Sequence, residues 1–316
     1  MTRELSRRRF LAGASVALAT TMMPAPLLAQ APGAKQRMRL ILLGTKGGPR
    51  PGGKRHAPAQ VIVIDDVPYV IDCGNGVAWQ YADAHLPLNK LRYIFLTHQH
   101  SDHNADYGNL FFLAWTAGLK TPVDSYGPPP LAKMTKLFLE MNEYDIDVRI
   151  EDEGRPQLAP LIHPHEITEP GPVMQDERVK VTSALVHHPL VKPAFAYRFD
   201  GPGRSIVISG DTTPSDNLIA LAKGADVLVH EVMYLPGIDA LLARVPNAAT
   251  LKKHLLDSHT TTEQVGVVAA KAGVKTLVLS HLVPGDDPKI TDEMWTADVR
   301  KNFKGEIIVG RDLMEI

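Results

Sequence analysis

The segment Thr97-His98-Gln99-His100-Ser101-Asp102-His103-Asn104 packs three histidines and an aspartate into a short stretch. Neutral imidazole and carboxylate are the donors that zinc and similar first-row divalent ions accept. The segment follows directly on an apolar run, residues 93–97, that reads as a buried strand. A strand end is a rigid platform on which one tight loop can present several ligands. A lone His-x-His is ordinarily a solvated turn, but His-x-His-x-Asp-His behind an apolar strand points to a metal site.

Positioning that loop requires a scaffold, and the rest of the chain supplies strand and helix signals in alternation. Short β-branched runs predict strands over 39–43, 59–64, 67–71, 121–126, 179–186, 194–200, 205–209, 227–229, 276–279 and 306–309, the second and third joined at Asp65-Asp66 as a hairpin. Helices are expected over 77–85, 111–117, 215–223, 261–272 and 292–302, and another opening at Gly127-Pro128-Pro129-Pro130 and running to about 144. Residues 145–173 are Pro-rich and read as an irregular covering loop with short strands. Strands interleaved with helices in both halves predict an α/β fold, two sheets face to face with helices outside.

Composition narrows the class. With 44% hydrophobic and 22% charged residues, the chain is an ordinary globule. One cysteine excludes an internal disulfide. A formal charge of −1 speaks against a protein built to track a polyanion. Residues 1–31 combine Ser6-Arg7-Arg8-Arg9-Phe10-Leu11, a mildly apolar run and Ala29-Gln30-Ala31, the order of a cleaved targeting peptide. The Ser-Arg-Arg-x-Phe-Leu start resembles a twin-arginine signal, with a plain secretory signal as the alternative. The expectation is therefore periplasmic export through the twin-arginine machinery, cleavage near Ala31, and a single domain over residues 32–316. Loss of Arg3, Arg7, Arg8 and Arg9 against Glu4 would leave that domain mildly acidic.

His98-x-His100-x-Asp102-His103 resembles the signature of the metallo-β-lactamase-fold hydrolases, a four-layer αββα sandwich with a metal site along one edge. The resemblance implies further ligands after later strands, and candidates stand in order: His187-His188, Asp211 in Ser209-Gly210-Asp211-Thr212, and His281 in Leu279-Ser280-His281. It implies two divalent ions, zinc by preference. His98, His100 and His188 would hold the first, Asp102, His103 and His281 the second, and Asp211 would bridge them. His188 is preferred to His187 for its spacing to Pro193-Ala194 and Tyr197-Arg198. The nucleophile implied is a hydroxide shared by the metals and oriented partly by Asp102.

Asp211 argues against β-lactam hydrolysis, because the true lactamases of this fold lack that carboxylate. Glu231 in His230-Glu231 and His259 in Ser258-His259-Thr260-Thr261 resemble the ribonuclease Z and arylsulfatase branch, where such a pair lets histidine protonate the leaving group. His259 could instead simply neighbour a helix cap, and His230 reads as a core residue. Ribonuclease Z cuts precursor tRNA in the cytoplasm, whereas this chain reads as exported, mildly acidic and without a basic arm. The expectation is therefore a small-molecule ester substrate, a phosphodiester or aryl sulfate, with no stable nucleic-acid or membrane partner and oligomerisation left open. Carbonyl-ester or lactone hydrolysis is the alternative; a lactamase or a non-catalytic metal-binding protein stands further off.

Overall fold

In the computed structural model, which describes residues 38–243 and 245–316, most central strands are buried on both faces. Strands apolar all round must be covered on two sides, which demands layers. The first sheet contains β1 (Arg39–Gly44), β2 (Ala59–Ile64), β3 (Val67–Ile71), β4 (Tyr93–Phe95), β5 (Val123–Gly127), β6 (Ile162–Glu166) and the last strand, β14 (Met314–Glu315). Their order is β14-β1-β2-β3-β4-β5-β6, antiparallel as far as β3 and parallel beyond it. The second sheet contains β7 (Gly171–Gln175), β8 (Lys180–Leu185), β9 (Phe195–Gly201), β10 (Arg204–Ile208), β11 (Val227–Met233), β12 (Thr276–Val283) and β13 (Glu306–Val309). It runs β13-β12-β11-β10-β9-β8-β7, parallel from β10 to β13 and antiparallel from β7 to β10.

Period-two alternation sorts the side chains into layers. Leu40, Leu42, Ile62 and Ile64 of the first sheet meet Val227, Val229 and Val278 of the second in a central layer. Phe95 anchors that layer, stacked on Tyr126 at 5.2 Å and meeting Phe199 edge-on at 5.2 Å. The alternate residues Ile41, Leu43, Val61 and Val63 pack outward with Leu110, Phe111 and Trp115 of the helix Tyr107–Thr116. On the far side Leu228, Leu277 and Leu279 pack on Val265, Val268 and Ala269 of the helix Thr262–Ala272. The four layers αββα are those the resemblance implied.

Two segments differ from expectation. Within the supposed covering loop, Glu143–Glu153 is a helix, tied by Arg149 to Asp145 and Glu153 one turn away on either side and closed by Gly154 in the left-handed conformation. Between Glu231 and His259 the chain forms two further helices, Leu235–Leu242 and Ala248–Ser258. Among the described residues no helix is long and apolar enough to cross a membrane.

Candidate metal centre and active site

The candidate residues gather at one edge of the sandwich: the segments after β4, β8 and β10 supply His98 to His103, His188 and Asp211, the strands β11 and β12 supply Glu231 and His281, and His259 caps the helix Ala248–Ser258. Open α/β sheets characteristically place sites at the carboxyl ends of their strands. His98, His100, His188 and Asp211 bring donor atoms within 4.8 Å of one another, and so do Asp102, His103, Asp211 and His281. Asp211 belongs to both groups. His188 is buried while His187 is exposed and uses its backbone, its N–H donating to Thr212 Oγ1 at 3.2 Å. A third group, Glu231, His259 and His281, adjoins them.

Hydrogen bonds fix which nitrogen of each ring is free. Asp72, on the residue after β3, is the hub. It accepts from Thr97 N at 2.8 Å, from Thr97 Oγ1 at 3.0 Å and from His103 Nδ1 at 2.8 Å. A carboxylate only accepts, so His103 Nδ1 carries a proton and Nε2 is the inward-facing atom that a metal ion would take. The Thr97 hydroxyl donates to Asp72, so it accepts from His98 Nδ1 at 3.0 Å, leaving His98 Nε2 free in turn. His188 Nδ1 donates to the Ser258 carbonyl at 3.2 Å. Its Nε2 then faces His100 Nδ1 at 3.1 Å, close to the spacing of two nitrogens on one ion with bonds of about 2.0–2.1 Å.

The electrostatics ask for cations. Burial opposes a charge on His103, yet Asp211, Asp72 and Asp102 outweigh it and raise its pKa well above the ordinary value. Burial would protonate Asp211, but His281 and His103 hold it well below the carboxylate range. His98 and His188 stay neutral, pushed down mainly by burial, the latter to about 4. His98 Nε2, His103 Nε2 and Asp211 Oδ1 are buried without hydrogen-bond partners. Inward-facing orphan nitrogens beside buried carboxylates fit two divalent ions of borderline softness, with zinc matching the donors.

Beside this centre Glu231 is held by three donors to Oε1: Thr212 N at 3.1 Å, Thr260 N at 3.1 Å and His259 Nδ1 at 3.2 Å. Burial disfavours a charged His259, but Glu231 prevails and pushes it up to about 9. His230 turns away and bonds the Glu231 carbonyl at 2.6 Å, the core residue expected of it.

A cavity of about 520 Å³ opens over these groups, with His100, Asp102, Asp211, His259 and His281 on its floor. One wall is the turn Lys46–Pro51, whose Gly48 N–H donates to Asp102 Oδ2 at 3.0 Å. Gly47 lies so close to His281 that a Cβ would sit 2.9 Å from its ring. The other wall is apolar, Leu241, Leu251 and Leu255 of the two helices between Glu231 and His259. His254, from the same helix as Leu251, also reaches the cavity, its ring centroid 6.0 Å from those of His100 and His188. Sequence reasoning missed Asp72, His254 and the apolar wall, while the basic cluster from Lys46 through Arg50 to His56 read as a loop that could either reach an anionic substrate or stay solvated; Asp72 stands in Asp72-Cys73-Gly74, where only its position after β3 hinted at a role.

Comparison with known proteins places this geometry. Residues 69–282 match the beta-lactamase superfamily domain. Ribonuclease Z of Mycobacterium bovis (strain BCG / Pasteur 1173P2) is 33% identical over 282 residues, 88% of this chain and 98% of that one. The metallo-beta-lactamase fold protein YhfI from Bacillus subtilis superposes with a TM-score of 0.64 at 20% identity, covering 88% and 98% of the two chains. Human tRNase Z, short form, gives 0.63 at 22% identity with the same coverage.

These relatives correct two expectations. The small-molecule ester substrate and the absence of a nucleic-acid partner are overturned, because the curated relative that is 33% identical over 88% of this chain is a ribonuclease Z. Net charge misled there: it averages the whole surface, whereas hydrolysis of a phosphodiester needs positive charge only at the scissile group. The periplasmic localisation and its twin-arginine machinery fall on the same finding, because ribonuclease Z is the branch set against export above. The supposed signal peptide, residues 1–31, lies outside the described residues. The match over residues 69–282, the ribonuclease Z relatives and the αββα architecture make this chain a metal-dependent hydrolase of the metallo-β-lactamase superfamily, in its ribonuclease Z branch.

Proposed function

We propose that the protein is a dinuclear metal-dependent phosphodiesterase that cuts RNA, with His98, His100, His188 and Asp211 as one ligand set and Asp102, His103, His281 and Asp211 as the other. The observation that carries this reading is the juxtaposition of two donor sets sharing Asp211 with a Glu231–His259 pair on one cavity floor. The ions would supply Lewis acidity and a nucleophilic water at neutral pH. Glu231 fixes Nδ1 of His259, which leaves Nε2 to hold a proton toward the cavity for the departing oxygen. Asp102, steadied by Gly48 N–H, has an oxygen on the cavity side from which it can orient the attacking water. Arg50 stands exposed on the rim, where a guanidinium can grip a phosphate flanking the cut. The cavity has the size of a nucleotide pocket, and its leucines suit the face of a base.

The test is cleavage of a 3′-extended precursor tRNA by the zinc- or manganese-loaded chain, with bis-p-nitrophenyl phosphate and a lactone in parallel. Cutting of the RNA that fails in Asp211→Ala supports the reading. A folded, fully metal-loaded protein that spares RNA and opens the lactone would replace it.

A further inference from the structure

Adjoining the second ligand set, a small space between the two sheets is lined by His103, Asp211 and His281 together with Asp72 and side chains of the central strands. Strand periodicity dictates what faces it. Val229 and Val278 point into the central layer, so Glu231 and Ser280, two residues further along, point the same way. Glu231 and Ser280 are direct neighbours across β11 and β12. From the opposite sheet Gln60 precedes Ile62 and Ile64 on the same face of β2. Three polar side chains thus sit where apolar ones close the rest of the layer, all of them buried, at 2–3% exposure.

Each has an atom without a hydrogen-bond partner: Gln60 Oε1, Ser280 Oγ and Glu231 Oε2. All three residues line a cavity of about 20 Å³. One water needs at least about 10–15 Å³ and two to four polar partners, so this space admits one water and no organic group. The donor count also matches. Gln60 Oε1 and Glu231 Oε2 can only accept, while the serine hydroxyl can donate. A water that gives one proton to each of the two acceptors and accepts from Ser280 satisfies these three atoms together, while the unpartnered His103 Nε2 and Asp211 Oδ1 on the same lining belong to the metal ligands.

We propose that this cavity is a water-binding site, and that Gln60 and Ser280 are positioning residues that hold the second oxygen of Glu231 through the bound water. Glu231 Oε1 is already fixed by Thr212, Thr260 and His259. With both oxygens tied, the carboxylate cannot rotate, and the direction of the His259 ring is set from behind. An unpartnered carboxylate oxygen there would carry a full desolvation penalty. The catalytic consequence rests on the role given above to Glu231 and His259; the water site itself does not.

The experiment is a crystal structure of the metal-loaded full chain, with Ser280→Ala, Ser280→Thr and Gln60→Met beside it. The wild-type map should show one peak about 2.6–3.2 Å from all three atoms. Ser280→Ala should lose that peak and split or lengthen the 3.2 Å Glu231–His259 bond. Its kcat on RNA should fall about tenfold with little change in KM, and Ser280→Thr, which keeps the hydroxyl, should restore it. No wild-type peak, or a peak that proves to be a monovalent cation, overturns the site. An unmoved Glu231–His259 pair in Ser280→Ala overturns the positioning role. A wild-type peak in a chain that cuts no RNA supports the site and counts against the proposed function alone.

Discussion

Asp72→Asn tests the hydrogen-bond logic of the centre most directly, because it keeps the volume of a buried side chain and changes only what it can accept. Asn Oδ1 can still receive the Thr97 bonds that Asp72 receives at 2.8 and 3.0 Å. Its amide group would then face His103 Nδ1, where the carboxylate now accepts at 2.8 Å. Two donors cannot share that contact, so His103 must shift its proton to Nε2 and turn an N–H toward the second ligand set. Loss of one charge-assisted bond amounts to about 1.5–3 kcal/mol. At 1.4 kcal/mol per decade that is about a 10- to 100-fold weaker affinity for the second ion, the usual range for an outer partner of a histidine ligand. Competitive titration against a chromophoric zinc chelator measures both sites separately. The first ion should be affected less, since His98 reaches Asp72 only through Thr97. Two ions held with unchanged affinities in Asp72→Asn would refute the assignment of tautomers.

Metal uptake should release protons. In the metal-free protein His103 holds its proton to a pH well above the ordinary value, and an ion must displace it, so affinity for the second ion should climb with pH through and beyond neutrality. His188, near 4, is already neutral and should add no proton release above about pH 5; calorimetry in buffers of different ionisation enthalpy counts the protons, and a count of zero at pH 7 contradicts the raised His103. His259→Ala should lower turnover of RNA about 10²- to 10⁴-fold but spare bis-p-nitrophenyl phosphate, whose leaving group needs no proton; equal losses would argue against proton donation. Gly47→Ala should drive a methyl group into His281 and Val283, with overpacking costing about 1–3 kcal/mol, seen as a lower melting temperature and a weakened second metal site. Phe95→Ala should cost about 3–5 kcal/mol in chemical denaturation by opening the central layer between the sheets, without altering the metal stoichiometry.

The candidate ligands were legible because their chemistry is local: His98, His100, Asp102 and His103 put metal-type donors within one loop, and the structure brings their donor atoms together. Asp211 and His281 were legible only through order along a familiar pattern. Asp72 was not, because its partners Thr97 and His103 lie across a strand pair that sequence spacing does not measure. The hairpin at Asp65-Asp66 appeared where β-branched runs and turn residues agreed. The helix Glu143–Glu153 was obscured by the prolines that follow it and by its charged, weakly apolar sequence, whose support comes from ion pairs along its own surface. Gln60 and Ser280 read as ordinary strand residues until two sheets put them face to face.

The chain leaves the second sheet at Met233 and returns beside it, where Met233 N–H donates to the Thr260 carbonyl at 2.8 Å and Met233 pairs with Thr261. Everything between is an excursion with its two feet pinned together, Glu231 just before one foot and His259 at the other. Closing such a loop is insensitive to its length, each doubling costing only about 0.6 kcal/mol. The apolar wall that this excursion contributes is therefore an exchangeable part. Lengthened, shortened or rebuilt, it would reshape what the cavity admits while the proton-handling pair keeps its place, so selectivity and chemistry can evolve on separate schedules in the same scaffold.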